Sequence, residues 1–542
     1  MESVSDIRLL FAVLAPLVGA GLVMAFGKKP NLRESISVLA AVTLCGLVLS
    51  LVPSVRSGTT AHYTLFELIP ADVAANFTVA PQATALTIAL RADALSMIFA
   101  VVASFLWILA VFYSAGYMRG LQEHAQTRFN VCFALALFGA IGCAFADNLL
   151  TLYLFYEIVS VSTYPLVAHH QDEEGYEGGR KYLTYLTTTA KALVFPAIVL
   201  IFVLSGTLDF AGNAHTGIIP ATVQHGVTTA LYIACLLGFA KNGVMPFHHW
   251  LPGAMVAPTP VSALLHAVAV VKVGVFSTVR VMLYVFGVDT MDALNLGIPT
   301  AYFVSITILV ASIIALSKDN LKTRLAYSTV SQLSYIILGV ALLTPTAVAG
   351  GLFHIAAHAF AKITLFFCAG AIYVATHKKY ISEMSGLGRV MPWTFGAFAL
   401  ASLSMIGVPP VGGFTSKLYL LVGSLDAGAI GILVVLIAST LLNAAYFAPV
   451  VYQAFFGKPP APMPEAERIP APELVAAGHE HDDAPAAAHA THGAAHGHTA
   501  PAPKGGEAPL AMVIPLCLTA VLSVLLGFYP DFFMQFAAAV LP

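Results

Sequence analysis

Fourteen stretches of about twenty apolar residues run through this chain, and no other feature restricts its fold so severely. They lie near residues 7–26, 36–53, 93–116, 129–146, 149–168, 184–206 and 228–249, and again near 260–285, 300–317, 325–343, 350–376, 393–423, 429–456 and 509–530. A helix of that length crosses the hydrocarbon of a bilayer, whereas a spanning strand needs only about ten residues. The runs therefore predict an all-α polytopic membrane protein with about 14 transmembrane helices. Charge agrees: only 10% of the 542 residues are charged, against about 25% in a soluble domain. With 25 basic and 27 acidic residues and no basic stripe, a nucleic-acid partner is excluded. The partner of this surface is the lipid bilayer.

An even number of crossings returns both termini to one side, and the positive-inside rule identifies it. With the termini outside, sixteen Lys and Arg fall in inward segments and three, Arg8, Arg56 and Arg91, fall outside. That asymmetry predicts an integral protein of a bacterial inner membrane with both termini outside. Glu2 and Asp6 precede the first run and lysines follow it, the reverse of a signal peptide, so the first run reads as an uncleaved helix. The six cysteines lie in apolar stretches without metal-type spacing and read as small core residues.

Six basic residues remain inside spans: Lys191, Lys241, Lys272, Arg280, Lys362 and Lys417. Arg280 lies late in its span and Lys191 early, so both are expected to snorkel to an interface. The other four sit deep, joined by Glu157. A charge at a helix centre costs about 2.5–3.5 kcal/mol on insertion scales, so such groups face an interior and mark ion paths or relays. A structural ion pair is the competing explanation, but one glutamate cannot neutralise this many lysines. Burial and mutual repulsion then leave some amines neutral part of the time, able to take and release a proton. His266 shares a run with Lys272, while His354, His358 and Lys362 recur at i, i+4 and i+8 on one helical face. Imidazoles between lysines shorten each proton hop. Metal binding by His354 and His358 is disfavoured because no thiol or extra carboxylate accompanies them.

Backbone breakers flank two of the lysines. Lys241 is followed by Gly243 and Pro246, and Lys417 is preceded by Pro409, Pro410, Gly412 and Gly413. Interrupted helices need a polar interior to satisfy their freed backbone groups, and a pair in opposite order suits an ion site between inverted repeats. Two segments lie outside the runs. Residues 54–92 read as an outer loop, and residues 457–508 as a disordered inner loop rich in Ala, Pro and His. The second holds His479, His481, His489, His492, His496 and His498, weak metal candidates by composition alone. No other metal site is expected.

These residues carry a resemblance. KNGVMPFHHWLPGAMVAPTPVSALLH from Lys241 to His266 is similar to the signature of the antiporter-like subunits of respiratory complex I, Mrp-type sodium/proton antiporters and membrane-bound hydrogenases. LTLYLFYEIVSVSTYPLV around Glu157, KDNLKTRLAYSTVSQLSYIILG at 318–339, HIAAHAFAKITLFFCAGAI at 354–372 and GVPPVGGFTSK ending at Lys417 extend the likeness over roughly residues 90–455. Residues 180–210 and 354–389 look most like the D-type subunits of the Mrp antiporters. The resemblance implies two inverted five-helix repeats, 129–285 and 300–456, each with a broken helix. Residues 1–128 hold the first three helices, and residues 509–542 a C-terminal helix. It implies that Glu157 pairs with Lys241, that His266 and Lys272 form a central relay continued by His354, His358 and Lys362, and that Lys417 terminates it.

The expected function is a proton-translocating subunit of a multisubunit complex, with protons, and sodium as a second candidate ion, as cargo and other membrane subunits as partners. The alternative is a structural or quinone-site subunit of a redox complex, an NADH-quinone oxidoreductase or hydrogenase, without its own proton path. A stand-alone metal transporter using the His-rich loop is a third reading. No GxGxxG after a strand and no cysteine cluster occurs in the sequence, so no cofactor and no redox chemistry are expected in this chain.

Overall fold

A computed structural model describes residues 3–458 and 506–541, without the side chains of Ser3, Leu265 and His266. The six histidines of the 457–508 loop lie outside the described residues. The first helices are α1 (Arg8–Ala25), α2 (Pro30–Arg56), α3 (Ala94–Gly120), α4 (Gln126–Ala144) and α5 (Leu149–Val167). They are followed by α6 (Glu173–Ser205, with a wide turn at Ala190–Val194), α7 (His225–Gly238), α8 (Val270–Val281), α9 (Gly297–Ser317) and α10 (Leu321–Ala341). The rest are α11 (Pro345–Thr376), α12 (Pro392–Ile406), α13 (Gly412–Asp426), α14 (Ile430–Phe456), α15 (Leu510–Phe528) and the short α16 (Asp531–Val540).

Ten of the described helices are long and apolar enough to cross a membrane, fewer than the fourteen expected runs. The difference has a local cause. The runs at 228–249, 260–285 and 393–423 are divided by irregular or wide turns, and the run at 325–343 lies in α10, whose Lys322, Arg324 and Gln332 dilute its apolarity. Helix α11 stands apart: its most apolar window is wholly buried, whereas that of the peripheral α14 is 33% buried. A helix apolar on every side belongs at the centre of a bundle, and α11 packs against α3, α10, α12, α13 and α15.

The connections segregate to two ends. At one end, the basic end, which carries Lys318, Lys322, Lys378 and Lys379, Asn320 bridges to Tyr380, Leu321 N–H donates to the Lys379 carbonyl, and Arg33 donates to Gln126. At the other end the 54–92 segment, read from the sequence as an outer loop, holds strands. There β1 (Ser3–Ser5), β2 (Thr60–Ile69) and β3 (Leu86–Ala92) form one sheet in the order β1-β2-β3. Its threonines, aromatics and β-branched residues suit a half-buried pleated surface, and Leu90 carries the pairing on to Ala146. Both ends of the described chain reach this sheet side, where Arg56 lies 4.6 Å from the Phe532 ring centroid.

Arg280 does not snorkel. It is fully buried and grips Asp93, which caps α3, through two hydrogen bonds of 2.5 and 2.9 Å, with Arg91 at 3.2 Å from the same carboxylate. A bidentate guanidinium–carboxylate pair satisfies both charges where water is absent. Lys191, by contrast, lies exposed on the wide turn of α6.

Candidate functional site

Lys241, Lys272, Lys362 and Lys417 are all buried in the bundle, none more than 5% exposed. Among the described residues none of the four makes an ion pair within 4.0 Å. Each is instead held by neutral oxygens or nitrogens, an arrangement that tolerates either protonation state of an amine.

Lys241 occupies a single tight turn, Ala240–Asn242, between the end of α7 and an irregular stretch. The backbone groups this break frees are taken up one by one. Trp250 donates to the Ala240 carbonyl, the Tyr156 hydroxyl accepts from Lys241 N–H, and Asn242 donates to Leu236 O and Thr278 Oγ1. Gly274 of α8 lets this turn approach, since a Cβ there would stand 2.1 Å from the Lys241 carbonyl carbon. The ammonium donates to Tyr156 O at 2.8 Å and Ser160 Oγ at 2.7 Å, and lies 3.1 Å from the Tyr156 ring centroid.

The expected contact of Lys241 with Glu157 is not made. Helical geometry explains why: Tyr156 and Ser160, four apart, share the α5 face that meets the lysine, and Glu157 is turned about 100° away. Glu157 is half-buried, its Oε1 has no hydrogen-bond partner, and the cations acting on its charge are Lys241 and then Lys191. It thus influences Lys241 through space.

From α8, Lys272 Nζ lies 3.0 Å from His358 Nδ1 on α11. One turn along α11, the His354 ring is 5.9 Å from that of His358, centroid to centroid. His354 contacts Ser416 Oγ at 2.8 Å and Gln332 Oε1 at 3.1 Å. Ser416 precedes Lys417, whose ammonium turns back to the Met405 and Ile406 carbonyls at 2.8 and 2.9 Å. These are open C-terminal carbonyls of α12, where the helix dipole favours a cation. Gly413 permits the close return, because a Cβ there would stand 1.8 Å from Ser404 O.

Lys362 starts a second line. It donates to Ser328 Oγ at 2.9 Å; the Ser328 hydroxyl in turn donates to the Tyr446 oxygen, Tyr446 donates its one proton to Asn443 Oδ1, and Asn443 donates to the same Met405 carbonyl. The two lines meet at Lys417. His266 has its backbone in the wide turn Leu264–Val268, and its side chain lies outside the described residues.

Of the expected site residues, the structure thus brings together Lys272, His354, His358, Lys362 and Lys417, with Lys241 and Glu157 grouped around α5. Sequence reasoning missed the uncharged members Tyr156, Ser160, Ser328, Gln332, Ser416, Asn443 and Tyr446. A signal existed in two cases. Tyr156 and Ser160, like Ser328 and Gln332, are polar pairs at i, i+4 within apolar helices, which places each pair on one face. All six cysteines are free thiols; Cys45, Cys143, Cys235 and Cys368 are buried, and Cys132 and Cys517 are half-buried.

Comparison with known proteins places these observations. The family model described as NADH:quinone oxidoreductase/Mrp antiporter, TM, matches residues 146–443, and one described as complex I chain 5 N-terminus matches residues 79–130. NADH-quinone oxidoreductase subunit N of Desulforudis audaxviator is 34% identical over 380 residues, 68% of this chain and 73% of that one. A Rhizobium meliloti protein named as the A/B component of a probable K+/H+ antiporter is 30% identical over 84% of this chain, but only 44% of its own length is spanned. In the structure of the Mrp complex from Dietzia sp. DQ12-45-1b, one chain superposes with a TM-score of 0.80 at 22% identity, covering 98% of this chain and 96% of that chain. At that identity the likeness is one of fold.

Proposed function

This chain belongs to the NADH:quinone oxidoreductase/Mrp antiporter transmembrane family, and from that premise we propose that it is a proton-translocating subunit of a multisubunit membrane complex. Its cargo is the proton, with sodium as the candidate counter-ion, and its partners are other membrane subunits. The membrane is a bacterial inner membrane, with the sheet end and both termini outside. Residues 129–285 and 300–456 act as two inverted repeats, each contributing one broken helix.

The observation that carries this reading is the buried polar line from Lys272 through His358, His354 and Ser416 to Lys417. Each member can donate or accept, and among the described residues neither Lys272 nor Lys417 makes an ion pair within 4.0 Å. Two charged lysines in one water-poor interior repel strongly, so protonating one favours release from the next. A proton from the basic end charges Lys241 while Glu157 is neutralised or displaced. It then passes through Lys272 and the two histidines and leaves from Lys417 on the other side. Glu157, acting on Lys241 through space, sets the ease of that first step. His266, within the same run as Lys272, completes the set.

The test is proton flux in vesicles reconstituted with the whole complex. Lys272→Met keeps approximate volume and removes the amine. Loss of flux with normal assembly supports the relay; normal flux assigns the lysines to helix packing and favours the structural or quinone-site reading.

A further inference from the structure

At the basic end, away from the lysine line, four side chains converge that the proposed relay does not use. Glu123 and His124 lie between α3 and α4, in a turn bounded by Gln122 and Ala125, both in the left-handed backbone region at φ +52 and +47. His169 and His170 directly follow the end of α5. Arg128 fixes this second segment by donating to the His169 carbonyl at 2.9 Å.

One carboxylate oxygen, Glu123 Oε2, faces three imidazoles. His169 Nε2 and His170 Nδ1 each lie 3.7 Å from it, and His124 Nδ1 lies 3.9 Å away. These separations are too long for hydrogen bonds. They lie close to the roughly 3.4 Å between neighbouring ligands of a tetrahedral ion with bonds near 2.1 Å. Ligand atoms of Glu123, His124 and His169 all fall within 4.8 Å of one another.

His169 supplies the independent observation. Its side chain is fully buried, and neither ring nitrogen has a hydrogen-bond partner. A buried imidazole is normally satisfied at one nitrogen at least. This one is wedged between the rings of His124, 4.7 Å away, and Phe129, 5.9 Å away, with Nε2 toward the carboxylate.

We propose that Glu123, His124 and His169 form a binding site for a borderline divalent transition cation, zinc above all, with the fourth position filled by His170 or water. Two imidazoles and one carboxylate are the donor set of open zinc sites, whereas calcium and magnesium require oxygen cages. The open side meets a cavity of about 560 Å³ lined by Glu123, His170, Asp172, Lys322 and Lys378, so the ion has an entry path. Bound there, it ties the α3–α4 turn to the end of α5, the helix whose Tyr156 and Ser160 hold Lys241.

The test uses the full-length, tag-free protein in detergent, with the six histidines of the 457–508 loop replaced by alanine so that loop binding does not interfere. Zinc chloride is titrated by equilibrium dialysis, and cobalt(II) is followed by its visible absorption. The expected result is one zinc per chain, a four-coordinate cobalt spectrum, and a loss of affinity of more than about tenfold in each of His169→Ala, His124→Gln and Glu123→Gln. Should His169→Ala fail to fold, the other two carry the test. Equal zinc binding by parent and variants, or no binding by the parent, overturns the proposal.

Discussion

The two broken helices hold their lysines in opposite ways. Lys241 reaches across to another helix, where a carbonyl, a hydroxyl and an aromatic face of α5 receive it, with Glu157 acting from the side. Lys417 turns back on its own interrupted span and rests on carbonyls at the end of α12, with no carboxylate within 4.0 Å among the described residues. A lysine held by a neighbouring helix can be retuned by moving that helix or its charge. A lysine held by a helix terminus has its field built into the backbone. On the proposed relay, the first break is suited to gating and the second to a fixed exit.

The severest way to break this comparison is to remove either amine. Lys241→Ala and Lys417→Ala should each reduce proton flux in reconstituted vesicles by more than about 100-fold, a loss appropriate to a proton-transfer group, while the complex still assembles on size exclusion. Normal flux in either variant removes that lysine from the path.

The breaks also depend on close backbone approach. Gly274→Ala pushes into the Lys241 turn and Gly413→Ala into Ser404 O. Each should destabilise the chain by about 1–3 kcal/mol, as overpacking does, read as a lower midpoint of thermal unfolding in detergent. An unchanged midpoint in one variant would show that its break is looser than described.

A finer contrast separates the supports. Ser160→Ala leaves Lys241 with the Tyr156 carbonyl and ring, and Ser416→Ala cuts His354 from the Lys417 segment. Losing one hydrogen bond to a charged group corresponds to about a tenfold effect. Glu157→Gln should shift the pH dependence of flux when combined with Ser416→Ala to the same extent as alone, because the carboxylate acts at the other break. Least affected of all, deletion of residues 475–503 should leave flux unchanged in the assembled complex; loss of activity there would give the His-rich loop a role in transport.

Charge scarcity made the site partly legible in the sequence. In a chain that is 10% charged, a lysine at mid-span stands out, and four of them with His354 and His358 could be singled out without coordinates. Their partners were less legible: the i, i+4 spacing of Tyr156 with Ser160 and of Ser328 with Gln332 marks a shared face, but which lysine that face meets is decided by a distant helix. Arg280 shows the limit: its position suggested an interface, but its partner Asp93 is 187 residues away in the chain. The sheet within the 54–92 segment was not legible for another reason: its strands pair with each other and with Ser3–Ser5, and that pairing joins residues far apart in the chain.

Apolar run length and charge placement determined by themselves that this chain is helical, membrane-embedded and threaded by a few buried cations, because lipid leaves a long uncharged segment no other solution. Tertiary structure alone decided which face each residue shows and what it touches. Tyr156 and Ser160 rather than Glu157 receive Lys241 because helical turns of about 100° per residue separate sequence neighbours. The four-residue Glu123/His169 cluster exists only because the α3–α4 turn packs on the end of α5.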